Sequence, residues 1–378
     1  CIEFKRAFER SNIVITTGGL GPTFDDITVE TAAECLNLEI YPDEKVLNSI
    51  KEYFLKRSAT SIPKINEKQA NIIRGAKVLE NRFGTAPGQM LHFKFKDSEK
   101  KCQKALFLLP GPPGEMKPMF EENVEPFLKS YSVGIKKNGV LHVFGITESA
   151  VEEMIKPIME EAVSGDSKSV EFGILASKSV IDIKFSVSGT DELLVDETIS
   201  KLKLGFGSVL RDNIFGSGND TLASVAGQLL LENKKTVSFA ESCTGGNIAA
   251  AITDIPGSSL YFRSSVVTYS NESKMKLLGL KEETLTNFGA VSKETAKEMA
   301  EGVLKLSDSD YAFSVTGIAG PGGTKEKPVG LVYIGSADKE KTESFKFNFN
   351  GTRKDIRKRT VNTVLDLLRR KLIVKHSY

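Results

Sequence analysis

The segment Ala240-Glu241-Ser242-Cys243-Thr244-Gly245-Gly246 sets a hydroxyl, a thiol and two glycines between an apolar run, Thr236 to Phe239, and the helical spacing Ile248, Ala249, Ile252. A strand that ends this way can do acyl chemistry. The first N–H groups of a helix lack partners inside the helix, and its dipole favours negative charge. Glycines let a ligand approach the backbone closely. Ser242 or Cys243 could therefore attack a carbonyl while nearby N–H groups hold the oxyanion. On spacing alone the plainer reading, Ser242 or Thr244 as an N-cap, stays open.

A serine nucleophile needs a base. The chain has only three histidines, His92, His142 and His376, and none sits beside another candidate catalytic or metal group. They read as surface or structural residues. Lysine is left as the base. Lys274 follows the strand Val266–Tyr269 within a helix over Glu272–Leu278. Its pKa would have to fall from about 10.4 toward neutrality through burial or nearby cations. Tyr269 could relay a proton or position Lys274. Read alone, Lys274 also fits a solvated helix lysine, and Tyr269 a core or edge aromatic. A third strand, Ala312–Val315, runs into Thr316, Gly317 and a Gly-Pro-Gly-Gly loop. In an open parallel sheet, ligands bind outside the carboxyl ends of the strands. Cys243, Thr244, Gly245, Gly246, Asn271, Thr316 and Gly317 are thus candidate substrate contacts. Arg353 opens the last helix and could grip a phosphate with two prongs. The run Arg357-Lys358-Arg359 could help, or could be a solvated face.

The elements that must position these residues form two or three domains in 378 residues. Residues 1–132 alternate strand (Ile13–Thr16, Ala105–Leu109) and helix, which predicts a mostly parallel sheet covered on both faces. Ser61 to Gln89 reads as irregular. Residues 133–217 read as a small α+β unit with a half-exposed antiparallel sheet, containing strands His142–Gly145 and Val180–Ser188 and helices Glu148–Val163 and Asp191–Lys203. Residues 218–378 read as a three-layer α/β/α unit.

Composition narrows the function classes. The net charge is +2, and 26% of residues are charged. No bulk field drives the chain to nucleic acid or membrane. No apolar run reaches membrane-spanning length. The four cysteines, Cys1, Cys35, Cys102 and Cys243, show no paired spacing, which fits a reducing cytosol and argues against zinc.

Five ordered segments carry a resemblance: Ala-Glu-Ser-Cys-Thr-Gly-Gly at 240–246, Val-Thr-Tyr-Ser-Asn at 267–271 with Lys274, Gly-Ala-Val-Ser at 289–292, Thr-Gly-Ile-Ala-Gly-Pro at 316–321 and Lys-Pro-Val-Gly at 327–330. Together they resemble the C-terminal domain of the CinA family. The resemblance implies a cofactor-free nicotinamide mononucleotide deamidase of serine–lysine type, which maps onto Ser242 and Lys274. Cys243 is a rival nucleophile by intrinsic reactivity; the resemblance favours Ser242.

Near the amino end, Gly18-Gly19-Leu20-Gly21-Pro22-Thr23-Phe24-Asp25-Asp26 is a glycine loop between strand and helix. It suits phosphates, and Asp25 or Asp26 could hold a bridging divalent ion. No Gly-Lys-Ser/Thr follows, so it is not a Walker loop. A structural turn with N-capping aspartates is the alternative. With Gly84-Thr85-Ala86-Pro87-Gly88 and Pro110-Gly111-Pro112-Pro113-Gly114-Glu115-Met116, it resembles the molybdopterin-binding (MoaB/MogA-like) domain that precedes the deamidase in CinA. Gly18, Gly19, Gly21, Pro22, Thr23, Gly111 and Glu115 are then the nucleotide contacts. The implied activity is an ADP-ribose pyrophosphatase using a divalent metal such as Mg2+, with K+ as a further candidate. The sequence opens at Cys1 in what reads as the tail of a helix, so this domain is expected to be truncated ahead of its glycine loop.

The middle unit sits where the family carries a KH-like domain. It has no Gly-x-x-Gly clamp, and 9 basic against 13 acidic residues give it a net charge of −4. A spacer or dimer-forming role is expected, with no nucleic acid bound. The whole chain is expected to be a cytoplasmic homodimer acting on small nucleotides. The rival reading is a non-catalytic interaction or nucleotide-sensing protein in DNA uptake or damage response.

Overall fold

The computed structural model describes residues 2–57, 62–94, 103–131, 134–163, 168–177 and 179–373. Cys1, Cys102 and His376 lie outside them. Residues 1–133 and 134–378 form two compact units.

In the first unit the strands are β1 (Ile13–Thr17), β2 (Ile40–Pro42), β3 (Asn71–Ile73), β4 (Lys77–Leu79), β5 (Gly88–Lys94) and β6 (Gln103–Leu109). The main sheet has the order β1-β6-β5-β4, and β2 pairs with β3 apart from it. Only β1 and β6 are parallel; β5 and β4 join antiparallel, so the sheet is mixed rather than mostly parallel. The stretch expected to be irregular holds β3, β4 and the start of β5. Alternation along β6 sends Leu106 and Leu108 to a core shared with Val14, Ala32 and Ala33, and Phe107 and Leu109 to one shared with Met119 and Val124. Apolar packing on both faces makes this a three-layer unit.

In the second unit, β7 (Ile135–Phe144), β8 (Lys168–Ser177), β9 (Val180–Gly189) and β10 (Ile214–Ser217) form an antiparallel sheet of order β10-β7-β9-β8. Sequence reading found only the end of β7 and missed β8 and β10. Helices Glu148–Val163 and Glu192–Leu210 cover one face through Val151, Ile155, Val195, Leu202 and Phe206. Asp191 caps the second helix with its side chain.

The remaining strands are β11 (Val237–Glu241), β12 (Phe262–Val267), β13 (Tyr311–Gly317), β14 (Leu331–Ala337) and β15 (Thr342–Asn348), in the order β12-β11-β13-β14-β15. β12, β11 and β13 are parallel, and β14 and β15 are antiparallel. Val237, Phe239, Phe313 and Val315 pack against helices Leu222–Glu232, Asn247–Thr253 and Arg353–Leu372. On the other face Ala240 and Ala312 meet Leu278, Met299 and Val303 from helices Asn271–Leu278 and Lys293–Ser307. The last helix also fastens the antiparallel sheet to this layer: Arg369, held by Asp366 at 2.7 Å, donates to the Asp212 carbonyl, and Arg370 to Asn213.

Candidate active site

Register brings three strand ends level. Glu241 pairs with Val267 on one side and Val315 on the other. The next residues are stitched together: Thr268 N–H donates to the Glu241 carbonyl (2.9 Å) and Ser242 N–H to the Val315 carbonyl (3.0 Å). Ser242, Thr268 and Thr316 therefore share one rim, at the carboxyl ends of the parallel strands.

Ser242 is not a helix cap. The helix starts at Asn247, its N-cap Gly246 has φ 89°, and no side chain caps it from that position. The capping oxygen comes from Glu241, fully buried, whose carboxylate accepts from Ile248 N–H (3.1 Å), Ala249 N–H (2.9 Å) and Ser265 Oγ (3.1 Å). This corrects the sequence reading twice. Neither Ser242 nor Thr244 is spent on capping, and two of the helix N–H groups expected to face a ligand are already taken.

Lys274 sits in the first turns of helix Asn271–Leu278, which Ser270 caps. Its side chain is only 1% exposed, so it is not a solvated helix lysine. Its Nζ lies 2.7 Å from the Thr268 carbonyl, 3.4 Å from the Tyr269 carbonyl and 3.3 Å from Ser242 Oγ. Two of these partners are pure acceptors. A neutral amine would give its two N–H groups to the carbonyls and turn its lone pair on the Ser242 hydroxyl. Burial lowers the Lys274 pKa below its ordinary value, which favours that neutral state.

Cys243, the rival nucleophile, is buried among core residues, and burial pushes its thiol up to about 12. A thiol in that state supplies no thiolate at neutral pH.

Two guanidinium groups contact the loops at these strand ends. Arg353 donates to the Gly320 carbonyl (2.5 Å) and to Tyr269 Oη (2.9 Å); Arg357, one turn later, donates to the Thr244 carbonyl (2.6 Å). Arg357 is half-buried rather than part of a solvated face. The sequence placed it only within the run Arg357-Lys358-Arg359, as a possible helper of Arg353 or a solvated face; its i,i+4 spacing from Arg353 singles it out. Tyr269 is 62% exposed, neither core nor edge packing. Asn271 is exposed at the start of its helix. Gly245 has φ 57°, and a Cβ there would lie 3.4 Å from the Arg357 guanidinium.

Some expected contacts are structural. Thr316 donates to the Ala290 carbonyl at 2.5 Å, tying the Gly-Ala-Val-Ser segment to β13. A Cβ on Gly317 would fall 2.7 Å from Val332, so close packing on β14 demands that glycine. Lys327 donates to the Phe288 carbonyl and brings the Lys-Pro-Val-Gly segment to the same place. Two hydroxyls, Thr244 Oγ1 and Thr268 Oγ1, are buried with no hydrogen-bond partner. Such an orphan costs about 1–3 kcal/mol unless a ligand or ordered water completes it.

In the first unit the two glycine loops meet. Gly18 N–H donates to the Leu109 carbonyl, and the Gly18 Cα would lie 3.4 Å from a Cβ on Gly111. Glu115 accepts from Asn81 at 2.7 Å and lies so close over Gly84 that a Cβ there would collide with it. Thr23 gathers both aspartates: its hydroxyl lies 2.5 Å from Asp25 Oδ1 and from Asp26 Oδ2. The Thr23 hydrogen bond, partly offset by burial, lowers the Asp26 pKa. Gly21 and Pro22 lie in the same loop, and a Cβ on Gly21 would strike the Asp26 carboxylate. No group of three or more His, Cys, Asp or Glu able to hold a metal occurs among the described residues. Two convergent carboxylates still fit Mg2+, which takes one or two from protein and the rest from water and phosphate oxygens.

Three family descriptions match in sequence: a probable molybdopterin binding domain over residues 2–130, the damage-inducible protein CinA KH domain over 138–216, and the CinA C-terminal domain over 219–372. A CinA-like protein of Endomicrobium trichonymphae is 93% identical over all of this chain and 88% of its own length. A putative competence-damage inducible protein of Caldicellulosiruptor saccharolyticus is 42% identical over 97% of this chain and 86% of its own length. Among solved structures, the competence/damage inducible protein CihA from Agrobacterium tumefaciens is 45% identical, covering 39% of this chain and 91% of that one, with a TM-score of 0.38. No helix among the described residues is long and apolar enough to cross a membrane.

Proposed function

The chain belongs to the CinA family, and from that premise we propose that its C-terminal domain hydrolyses the amide of nicotinamide mononucleotide to nicotinate mononucleotide and ammonia. The observation that carries this reading is the buried Lys274 amine, held by two carbonyls with Ser242 Oγ in its third direction.

Amide hydrolysis needs a nucleophile, a base that later acts as acid, and a site for the oxyanion. Neutral Lys274 takes the Ser242 proton as Oγ bonds to the amide carbon. The tetrahedral oxyanion collapses, the C–N bond breaks, and the Lys274 ammonium returns the proton to the leaving ammonia. Water, deprotonated by the same amine, then cleaves the acyl-serine to the acid. Thr244 and Thr268 supply unpartnered hydroxyls beside the reacting centre. Arg353 and Arg357 suit the 5′-phosphate. The exposed Tyr269 ring suits the cationic pyridinium. The test is ammonia release from the mononucleotide against the riboside that lacks phosphate. We expect kcat/KM to fall by at least about tenfold without the phosphate, since charged hydrogen bonds contribute about 1.5–3 kcal/mol. Equal rates would remove the arginines from the reading.

For the first domain we propose a metal-dependent hydrolysis of the pyrophosphate of ADP-ribose. It is supported by the meeting of the Gly18 and Gly111 loops beside the convergent Asp25 and Asp26. The two carboxylates would hold a divalent ion that neutralises phosphate charge. Loss of ADP-ribose hydrolysis in Asp26→Ala, with ammonia release retained, is the expected result.

A further inference from the structure

A shallow cavity of about 570 Å3 opens on the antiparallel sheet of the middle domain, over β7, β9 and β8 and against Ser217 and Gly218 at the end of β10. We infer that it binds a small sugar phosphate, with the phosphate on Lys184 and Lys203. None of its lining residues belongs to either proposed catalytic centre.

Strand register builds the floor. Val140, Lys184 and Gly173 lie in one row across β7, β9 and β8, and Asn138, Ser186 and Glu171 in the next. Side chains alternate across a sheet, so both rows share the face turned away from the core residues Leu141 and Ile183. Gly173 leaves a gap beside Lys184, since a Cβ there would meet nothing within 4 Å. Lys203 joins the lining from helix Glu192–Leu210. The volume lies in the range of small-ligand sites.

Charge selects the ligand. The domain carries 9 basic and 13 acidic residues, yet the cavity collects Lys136, Lys184 and Lys203 against the single carboxylate of Glu171. That carboxylate is already satisfied: Lys136 Nζ and the Ser186 hydroxyl donate to its Oε2 at 2.9 and 3.0 Å. Asp220, beside the end of β10, accepts from Ser217 N–H. Lys184 and Lys203 are exposed and make no ion pair or hydrogen bond among the described residues. Two uncompensated cations in one hollow of an acidic domain favour a small anion that fits within the hollow over an extended polyanion. A phosphate monoester brings a charge of about −1.5 to −2 at neutral pH and matches both lysines, whereas a carboxylate matches one. The rest of the lining suits hydroxyls. Asn138, Ser186 and Ser217 offer donors and acceptors, while the aromatic rings of Phe172 and Phe185 pack in the core beneath. A nucleobase would find no open ring to stack on, so a sugar fits better than a nucleoside.

The experiment is calorimetric titration of the full chain with glucose 6-phosphate, and separately with glucose and with inorganic phosphate, in wild type, Lys184→Ala, Lys203→Ala and Arg357→Ala. The sugar phosphate should bind more tightly than either of its parts. Its Kd should rise roughly threefold to tenfold in each lysine variant, the effect of losing one hydrogen-bond partner. It should stay unchanged in Arg357→Ala, which removes a phosphate contact of the deamidase reading. Hydrogen exchange of the complex should show slower exchange over β9. Loss of binding in Arg357→Ala alone would move the ligand to the deamidase site and overturn the inference. So would binding that both lysine variants leave unchanged, inorganic phosphate binding as tightly as the sugar phosphate, or no saturable binding at millimolar concentration.

Discussion

The serine–lysine site and the aspartate loop place reactive groups at the ends of parallel strands in opposite ways. In the C-terminal domain the Lys274 amine is buried, burial lowers its pKa, and it lies against two backbone carbonyls and Ser242 Oγ. In the first domain the carboxylates lie on an exposed loop and turn onto Thr23. On the proposed reading, a buried base is prepared before substrate arrives, whereas an exposed carboxylate pair needs an ion and a phosphate to give it a task. The difference shows why one site is legible from protein groups alone and the other is not.

The comparison breaks most sharply at Lys274. Lys274→Met should lower kcat for ammonia release by at least ~10^3-fold, since removing one member of a nucleophile–base pair has effects of that order. The wild-type pH profile carries the sign. Because burial lowers the Lys274 pKa, kcat/KM should fall as pH drops through that lowered value and level off above it. Linkage runs the same way. The unfolded chain holds this proton more tightly, so the contribution of Lys274 to stability should rise with pH from the lowered pKa toward 10.5. A flat rate profile would remove the neutral amine.

Next in size, Arg357→Ala should raise KM for the mononucleotide by about 10- to 100-fold with less effect on kcat, as expected for a lost charged hydrogen bond. Steady-state kinetics at two ionic strengths would check it. Asp26→Ala should reduce ADP-ribose hydrolysis by roughly 10–100-fold and leave ammonia release untouched, which tests the independence of the two sites. The smallest effect belongs to Cys243→Ala: activity within about threefold of wild type and a stability loss of about 1 kcal/mol, read by urea melts. A large loss of activity there would return the thiol to the chemistry.

Much of this was legible in the sequence because period and motif agree. Ala296, Met299, Ala300 and Val303 recur at helical spacing and are all buried. The Ser242 loop, Lys274 and Arg353 meet at one rim, as the strand–loop–helix order suggested. The burial of Lys274 was not legible, because it depends on the Thr268 and Tyr269 carbonyls and on register across three strands. Glu241 escaped notice for a similar reason: its capping partners lie seven and eight residues on, beyond any local capping rule. The miss of β8 is different. Val170, Phe172 and Ile174 alternate with Ser169, Glu171 and Gly173, so the period-2 signal was present and went unread.

The most direct test of the central claim is ammonia release from nicotinamide mononucleotide by the full chain, its Ser242→Ala variant and its Cys243→Ala variant, each shown to be folded. The account predicts release by wild type and Cys243→Ala and none above background by Ser242→Ala. Release that survives in Ser242→Ala, or that is absent from folded wild type, would contradict it.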